Sequence, residues 1–99
     1  MSEDRISKDK ITKEKLKKYF SMTEKALAMA KKSIAKKKIK EAHAILDMAE
    51  RYYKDALWFQ EKKDFVNAFA CLNYSHGWLD CGSKLGIFNV KDPRFFVLK

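Results

Sequence analysis

The chain contains very few of the residues that interrupt helices. Its 99 residues include only three glycines and one proline, and all four lie beyond residue 76. Because glycine and proline are the residues least compatible with a helix interior, the first three quarters of the chain can form long helices. A hydrophobic fraction of 46% and an aromatic fraction of 13% supply one core and argue against disorder. We therefore expect a single all-α domain over residues 1–99, with residues 1–10 frayed.

Long apolar runs and closely spaced cysteines are also missing. No run approaches the roughly 18 apolar residues that a membrane span needs, and the N-terminus lacks the apolar core of a signal peptide. The two cysteines, Cys71 and Cys81, would lie about 15 Å apart along one helix, which is too far for a disulfide. Thiols that stay reduced are typical of the cytosol, so we expect a cytoplasmic protein without membrane contact.

Helical periodicity predicts three helices. Thr12 is the expected N-cap of a first amphipathic helix, which runs to about residue 34 or 35. Residues 35–40 read AKKKIK and contain no turn residue, so either a short turn near residues 36–38 or one long bent helix through residue 62 fits them. The second helix is expected at about 40–62 and the third at about 64–85.

The predicted second and third helices each carry small residues at every seventh position. Asp64 and Gly86 are the expected N-cap and C′ residues of the third helix. The short turn before Asp64 forces antiparallel pairing, and small side chains let the two backbones approach closely. We therefore predict a close-packed antiparallel helical hairpin within a three-helix bundle. Its small residues are Ala42, Ala49 and Ala56 on one helix and Ala68, Ser75 and Gly82 on the other.

A second apolar face on the third helix predicts that this helix is central. A helix that is apolar nearly all round is normally buried on two sides, so the first helix or the C-terminal tail should cover this face. The tail, residues 87–99, is itself apolar apart from a turn at Asp92-Pro93, and it must pack either on the bundle or on a partner. The residues of the second face are Ala70, Cys71, Tyr74, Trp78, Cys81 and Leu85.

The net charge of +9 lies entirely in the first part of the chain. Residues 1–40 carry fourteen Lys and Arg against five Asp and Glu, whereas residues 41–99 carry eight of each. Such a block attracts phosphate backbones. Nineteen of the 22 basic residues are lysine, however, while arginine is preferred for bidentate phosphate contacts, which favours a solvated lysine surface. The candidate nucleic-acid contacts are Lys31, Lys32, Lys36, Lys37, Lys38 and Lys40.

Polar residues of the hairpin give one candidate ligand cluster, Tyr52, His76 and Asp80. His76 is expected to be partly buried and hydrogen-bonded to Asp80 or Tyr53 rather than to act as a catalytic base. His43 pairs with Asp47 at the same spacing as His76 with Asp80, but the antiparallel register displaces the two histidines by about 10 Å, which argues against a shared metal site. We predict no catalytic residue, no metal and no cofactor, and we lean towards a protein that is not an enzyme.

Large aromatic residues supply the candidate partner contacts. Tyr74 and Trp78 lie on the second face of the third helix, whereas Trp58 falls on the polar side of the second helix. An exposed tryptophan is a frequent energetic anchor of an interface. The full set of candidate contacts is Trp58, Tyr74, Trp78, Phe95 and Phe96.

The hairpin sequence resembles one archaeal family, catalogued as domain of unknown function 357. The resemblance covers about residues 22–98 and is densest over residues 52–88. It implies a compact helical bundle, an archaeal source and a cytosolic location, and it implies no particular activity. The motifs that carry it are Tyr52-Tyr53-Lys54-Asp55-Ala56, Phe59, Asp64, Val66-Asn67-Ala68-Phe69-Ala70-Cys71, Asn73-Tyr74-Ser75-His76-Gly77-Trp78-Leu79-Asp80, Gly82, Leu85-Gly86-Ile87-Phe88 and Phe96.

Three functions are compatible with these patterns. The leading hypothesis is a non-enzymatic protein-interaction module, homodimeric through the apolar tail and the aromatic face. The alternative is an RNA- or ribosome-associated accessory protein that uses the lysines of residues 31–40. The third is a small-ligand binder or enzyme built around His76 and Asp80.

Overall fold

Three helices make up the part of the protein that the structure describes, as predicted. The computed structural model describes residues 11–96, and the helices are α1, Lys13–Lys32, α2, Ile39–Glu61, and α3, Phe65–Lys84. The predicted all-α bundle is confirmed, and the observed ends of α2 and α3 differ from the predicted ends by one residue. Residues 1–10, for which we predicted fraying, and the last three residues of the tail lie outside the described part.

The predicted caps form as expected. The Thr12 hydroxyl accepts a hydrogen bond from the Lys15 backbone N–H at 3.0 Å, and an Asp64 carboxylate oxygen accepts one from the Asn67 N–H at 3.2 Å. These bonds satisfy amide groups that have no partner within their own helix. Gly86 follows the end of α3 with a φ of +73°, a conformation that favours glycine.

The connection between α1 and α2 is a true break. α1 ends at Lys32, two to three residues earlier than predicted, and the alternative of one continuous helix is wrong. The helix ends here because the segment after α1 pairs with the tail, which is distant in the sequence. The Ala35 N–H donates to the Ile87 carbonyl at 2.9 Å, and the Asn89 N–H donates to the Ser33 carbonyl at 2.6 Å.

The small-residue seam between α2 and α3 is confirmed. The Ser75 hydroxyl donates a hydrogen bond of 2.7 Å to the backbone carbonyl of Ala49, which requires the two backbones to lie very close. The register is that of an antiparallel hairpin with a short turn. All six predicted seam residues are buried: Ala42, Ala49, Ala56, Ala68, Ser75 and Gly82.

The tail packs on its own bundle. Ile87 and Phe88 are buried, and Phe88 forms an isolated antiparallel bridge with Ile34. The predicted turn at Asp92-Pro93 is present, because the Asp92 carbonyl accepts hydrogen bonds from the N–H groups of Phe95 and Phe96 at 3.2 Å. Of the two packing options, the bundle is therefore the one adopted through residue 96.

The prediction that the second face of α3 is covered is wrong for four of its six residues, whereas Cys71 and Trp78 are partly buried against the core. α2 covers the seam, and α1 covers the side that carries Phe69 and His76. Tyr74 stays 53% exposed and Leu85 64% exposed. Ala70 and Cys81 are exposed as well. Among the described residues, no helix is both long enough and apolar enough to cross a membrane.

Candidate functional site

Four exposed residues of α3 and its C-cap share one side of the helix. At about 100° per residue, Ala70, Tyr74, Cys81 and Leu85 fall within about 60° of one another and about 110° from the seam. We call these four residues the outer face of α3. None of them is charged, and small and large exposed side chains alternate along the face, in the order Ala70, Tyr74, Cys81 and Leu85. An apolar surface of this kind is typical of a contact site.

A row of aromatic rings borders the outer face. The rings of Tyr52 and Tyr74 pack edge to face with centroids 4.4 Å apart, and Tyr74 packs in the same manner on Trp78 at 6.3 Å. Tyr52, Tyr74 and two small neighbours line a shallow groove of about 330 Å³. Because each ring contacts another, little side-chain freedom remains to be lost when a partner binds.

The indole N–H of Trp78 is the exception to good polar pairing here. This group is buried and meets no hydrogen-bond acceptor among residues 11–96. An unpaired buried donor costs about 1–3 kcal/mol of folding free energy. The ring itself is partly buried and packs against the core cluster that contains Leu79 and Phe88.

The two thiols next to the outer face differ in exposure. Cys71 is partly buried, and burial, followed by the charge of the Asp55 carboxylate, raises the pKa of its thiol. A raised pKa keeps the Cys71 thiol protonated and unreactive at neutral pH. Cys81 is exposed, so the expectation that both cysteines are buried on this face is wrong for Cys81.

His76 links α1, α3 and the tail. Its Nε2 donates to the Phe95 carbonyl oxygen at 2.5 Å, and its Nδ1 lies 3.1 Å from the Thr23 hydroxyl oxygen. Because a carbonyl oxygen only accepts, Nε2 carries a proton, and in the neutral ring Nδ1 accepts from Thr23. Both ring nitrogens are therefore engaged in holding the fold. Thr23 is buried on the apolar side of α1, and a hydroxyl in that position was the one sequence signal for this bond.

Of the two partners predicted for His76, Asp80 or Tyr53, the alternative of Tyr53 is wrong. The Tyr53 hydroxyl instead donates to a Glu24 carboxylate oxygen at 3.1 Å. Burial, followed by this hydrogen bond and the charge of Glu24, raises the pKa of Tyr53 to about 12. Sequence reasoning missed Glu24, since nothing in its spacing marks it as different from the other charged residues of α1.

The candidate cluster Tyr52, His76 and Asp80 is not brought together as one site. His76 and Asp80 line a small cavity of about 200 Å³ between α1 and α3. Tyr52 does not line this cavity and packs instead on Tyr74 beside the outer face. A ligand held by all three side chains therefore has no support in this geometry.

Metal ligands do not converge in the described part of the chain. Within residues 11–96, no three His, Cys, Asp or Glu side chains are placed to hold one ion. His43 is exposed and lines a different cavity, which it shares with Asp47 and Lys31.

The six candidate lysines of residues 31–40 are all exposed. Lys31 pairs with Glu50 at 3.3 Å, and Lys38 lies 4.0 Å from Glu41. The remaining four form no ion pair with any residue in 11–96, which leaves their charges available to an anionic partner. These four are Lys32, Lys36, Lys37 and Lys40.

The other aromatic candidates lie in different surroundings. Trp58 is 56% exposed and lies on the side of α2 opposite the seam, with the Lys62 ammonium 5.5 Å from its ring centroid. Phe95 is partly buried beneath the Lys25 ammonium at 5.9 Å and the Arg94 guanidinium at 5.2 Å. Phe96 is only 4% exposed, so it forms part of the core and not of a surface open to a partner.

Comparison with known proteins identifies the family. Residues 18–88 match the family model described as "Protein of unknown function (DUF357)", and the chain belongs to this family. The match contains the last three quarters of α1, the whole hairpin and the start of the tail. No curated protein and no solved structure matches the chain.

Proposed function

We propose that this DUF357 protein is a non-enzymatic protein-interaction module that binds its partner through the outer face of α3. The observation that carries this proposal is the exposure of Tyr74 and Leu85 on a helix whose other two sides are packed. Exposing large apolar side chains to water has no benefit for the folded monomer, whereas burying them against a partner contributes about 25 cal/mol per Å².

Supporting features come from the surroundings of the outer face. Tyr52 and Trp78 hold the Tyr74 ring on two sides, so the surface is ordered before binding. The charged residues of α1 lie on the other side of α3, and the outer face itself contains none. We place this function in the cytoplasm, where an exposed thiol such as that of Cys81 stays reduced.

The test is affinity purification from cells of the source organism, with and without nuclease. Tyr74→Lys should lose the protein partners that resist nuclease, because it places a charge in the centre of the outer face. Trp58→Lys is the matched control, since it removes an equally exposed aromatic ring on the opposite side of α2. Recovery of the same partners with both variants would refute the proposal.

RNA binding is a second candidate, favoured by the four lysines of residues 31–40 that lack an ion pair within the described chain. For single-stranded nucleic acid, the logarithm of the binding constant falls with the logarithm of the salt concentration, with a slope of about −0.7 per phosphate contact. Changing Lys32, Lys36, Lys37 and Lys40 to Gln should therefore reduce the salt slope of RNA retention by up to about 3. The matched control changes Lys54, Lys62, Lys63 and Lys84 to Gln, which removes the same charge elsewhere. Equal slopes for the two variants would exclude a specific role of residues 31–40.

A further inference from the structure

We propose that the partner of the outer face is a second copy of this chain, with the two α3 helices antiparallel about a twofold axis between Gly77 and Trp78. This inference rests on the proposed function and names the partner of that same surface. The observation behind it is that the outer face is complementary to itself in one register.

Self-complementarity follows from the order of large and small residues along α3. An antiparallel pair centred between Gly77 and Trp78 brings Ala70 level with Leu85 of the partner subunit and Tyr74 level with Cys81 of the partner subunit. Each large exposed side chain then meets a small one. At the axis, Gly77 and Trp78 lie on opposite flanks of the outer face, about 100° apart around α3, so Gly77 comes near Gly77 of the partner subunit while Trp78 stays packed on its own core cluster. A Cβ built on Gly77 would have no atom within 4 Å, and glycine itself adds no side chain that would hold the two backbones apart on this flank.

Neighbouring registers lose this match. Moving the axis two residues towards the C-terminus brings Tyr74 level with Leu85 of the partner subunit, which sets two large side chains against each other. Moving it two residues the other way brings Ala70 level with Cys81 of the partner subunit, which leaves a gap between two small ones. Both overpacking and voids weaken a helix contact, so the complementary register is preferred.

Charge placement favours a second copy over a partner of opposite charge. Within the described chain, residues 11–40 carry eleven lysines against two glutamates, so an acidic protein would be drawn to α1. α1 packs on the side of α3 that carries Phe69 and His76, away from the outer face. Two copies joined by their outer faces would hold their α1 helices about 20 Å apart or more. Salt screens charges at that separation, because the Debye length is about 8 Å under physiological conditions.

The size of the surface sets the expected affinity. The outer face extends about 22 Å from Ala70 to Leu85, and Tyr52 of α2 adds to it on one flank. That area lies at the lower end of specific interfaces, so we expect a dissociation constant on the order of 10 µM.

The experiment measures the mass of the full chain by sedimentation equilibrium from about 5 to 500 µM, a range that brackets the expected affinity. The wild type should approach twice 11.6 kDa as the concentration rises. Ala70→Lys and Leu85→Glu should each weaken association about tenfold or more, since each puts an unpaired charge into the contact. The double variant Ala70→Lys/Leu85→Glu should recover most of the affinity, because Lys and Glu then face each other across the dimer twice.

A second double variant tests the register. Ala70→Lys/Cys81→Glu carries the same charges, but in the proposed register they are not level, so it should stay as weak as its single variants. All substituted positions are exposed, and circular dichroism checks that each variant is folded. Recovery by Cys81→Glu instead of Leu85→Glu would overturn the register.

Failure of this inference is distinguishable from failure of the proposed function. A wild-type chain that remains a monomer at the highest concentration overturns self-association. If Tyr74→Lys still loses nuclease-resistant partners from the source cells while Trp58→Lys keeps them, the proposed function stands and its partner is another protein.

Discussion

Two glycines five residues apart in α3 have opposite surroundings. A Cβ at Gly82 would lie 2.6 Å from Cδ2 of Phe88 and closer still to Cε2 of the same ring, which is buried and cannot move aside. Gly77 has open space instead. Gly82 therefore permits the tail ring to dock on the hairpin, whereas Gly77 has no such role within one chain.

Alanine substitutions should separate these two roles. Gly77→Ala should raise the free energy of unfolding by up to about 1 kcal/mol, because alanine favours the helix. Gly82→Ala should lower it, since the clash with Phe88, about 1–3 kcal/mol, exceeds the same helical gain. Urea unfolding of both variants at low micromolar concentration measures the difference. Equal stability of the two variants would show that Phe88 does not pack as described.

Tyr53 should make stability depend on alkaline pH. Its phenol ionises near pH 12 in the folded chain, against 10.0 for an unperturbed tyrosine, so the unfolded state loses this proton first. The contribution is constant below pH 10 and is lost as the pH rises towards 12. Glu24→Gln should lower the pKa of Tyr53, because it removes the carboxylate charge and weakens the hydrogen bond. Tyrosinate absorbance measures the titration, and Glu61→Gln, at the far end of α2, should leave it unchanged.

At the scale of elements, the contact between α2 and α3 depends on six small side chains that leave no room for larger ones. Ser75→Leu or Ala49→Leu should each overpack this contact and lower the free energy of unfolding by about 1–3 kcal/mol. Asn73→Leu, which adds a similar side chain at an exposed position of α3, should change it by less than about 0.5 kcal/mol. Thermal melts compare the three variants. Wild-type stability in both seam variants would contradict the close approach of the helices.

The hairpin is also the element that sequence reasoning described best. A repeat of seven with small residues on both helices, together with a short turn, leaves one antiparallel register, and the hydrogen bond from Ser75 to Ala49 confirms it. Caps at Thr12 and Asp64 were predictable because their bonds are local, reaching only three residues along the chain.

For the whole molecule, His76 is the point where three parts of the chain meet. His76→Ala removes the bonds to Thr23 and to the Phe95 carbonyl, which should destabilise tail docking by about 1–2 kcal/mol. Amide hydrogen exchange in residues 87–96 should then become about five to thirty times faster, most clearly at the Asn89 N–H that bonds to Ser33. His43→Ala, at an exposed histidine of α2, is the control and should change no exchange rate. Unchanged exchange in His76→Ala would show that the tail is held by its apolar contacts alone.

Long-range contacts explain where prediction from sequence was wrong. Residues 33–38 contain no helix breaker, and the break there comes from backbone pairing with residues 87–89, which no local pattern reveals. In the same way, Tyr52 and His76 lie on adjacent helices, yet one packs beside the outer face and the other faces α1. Tyr52 and His76 are separated because α1 occupies only one side of α3, the side that carries His76.

The amino-acid sequence by itself determined the helices, their caps and the pairing of α2 with α3, because each of these follows from contacts that are local or that repeat along a helix. Only the tertiary structure decided which side of α3 stays open. Periodicity identifies the apolar faces of a helix but does not show which of them another element covers. The sequence suggests that α1 or the tail covers the outer face, and neither of them does. The exposed outer face is the result, and it is the surface through which we propose that the protein binds.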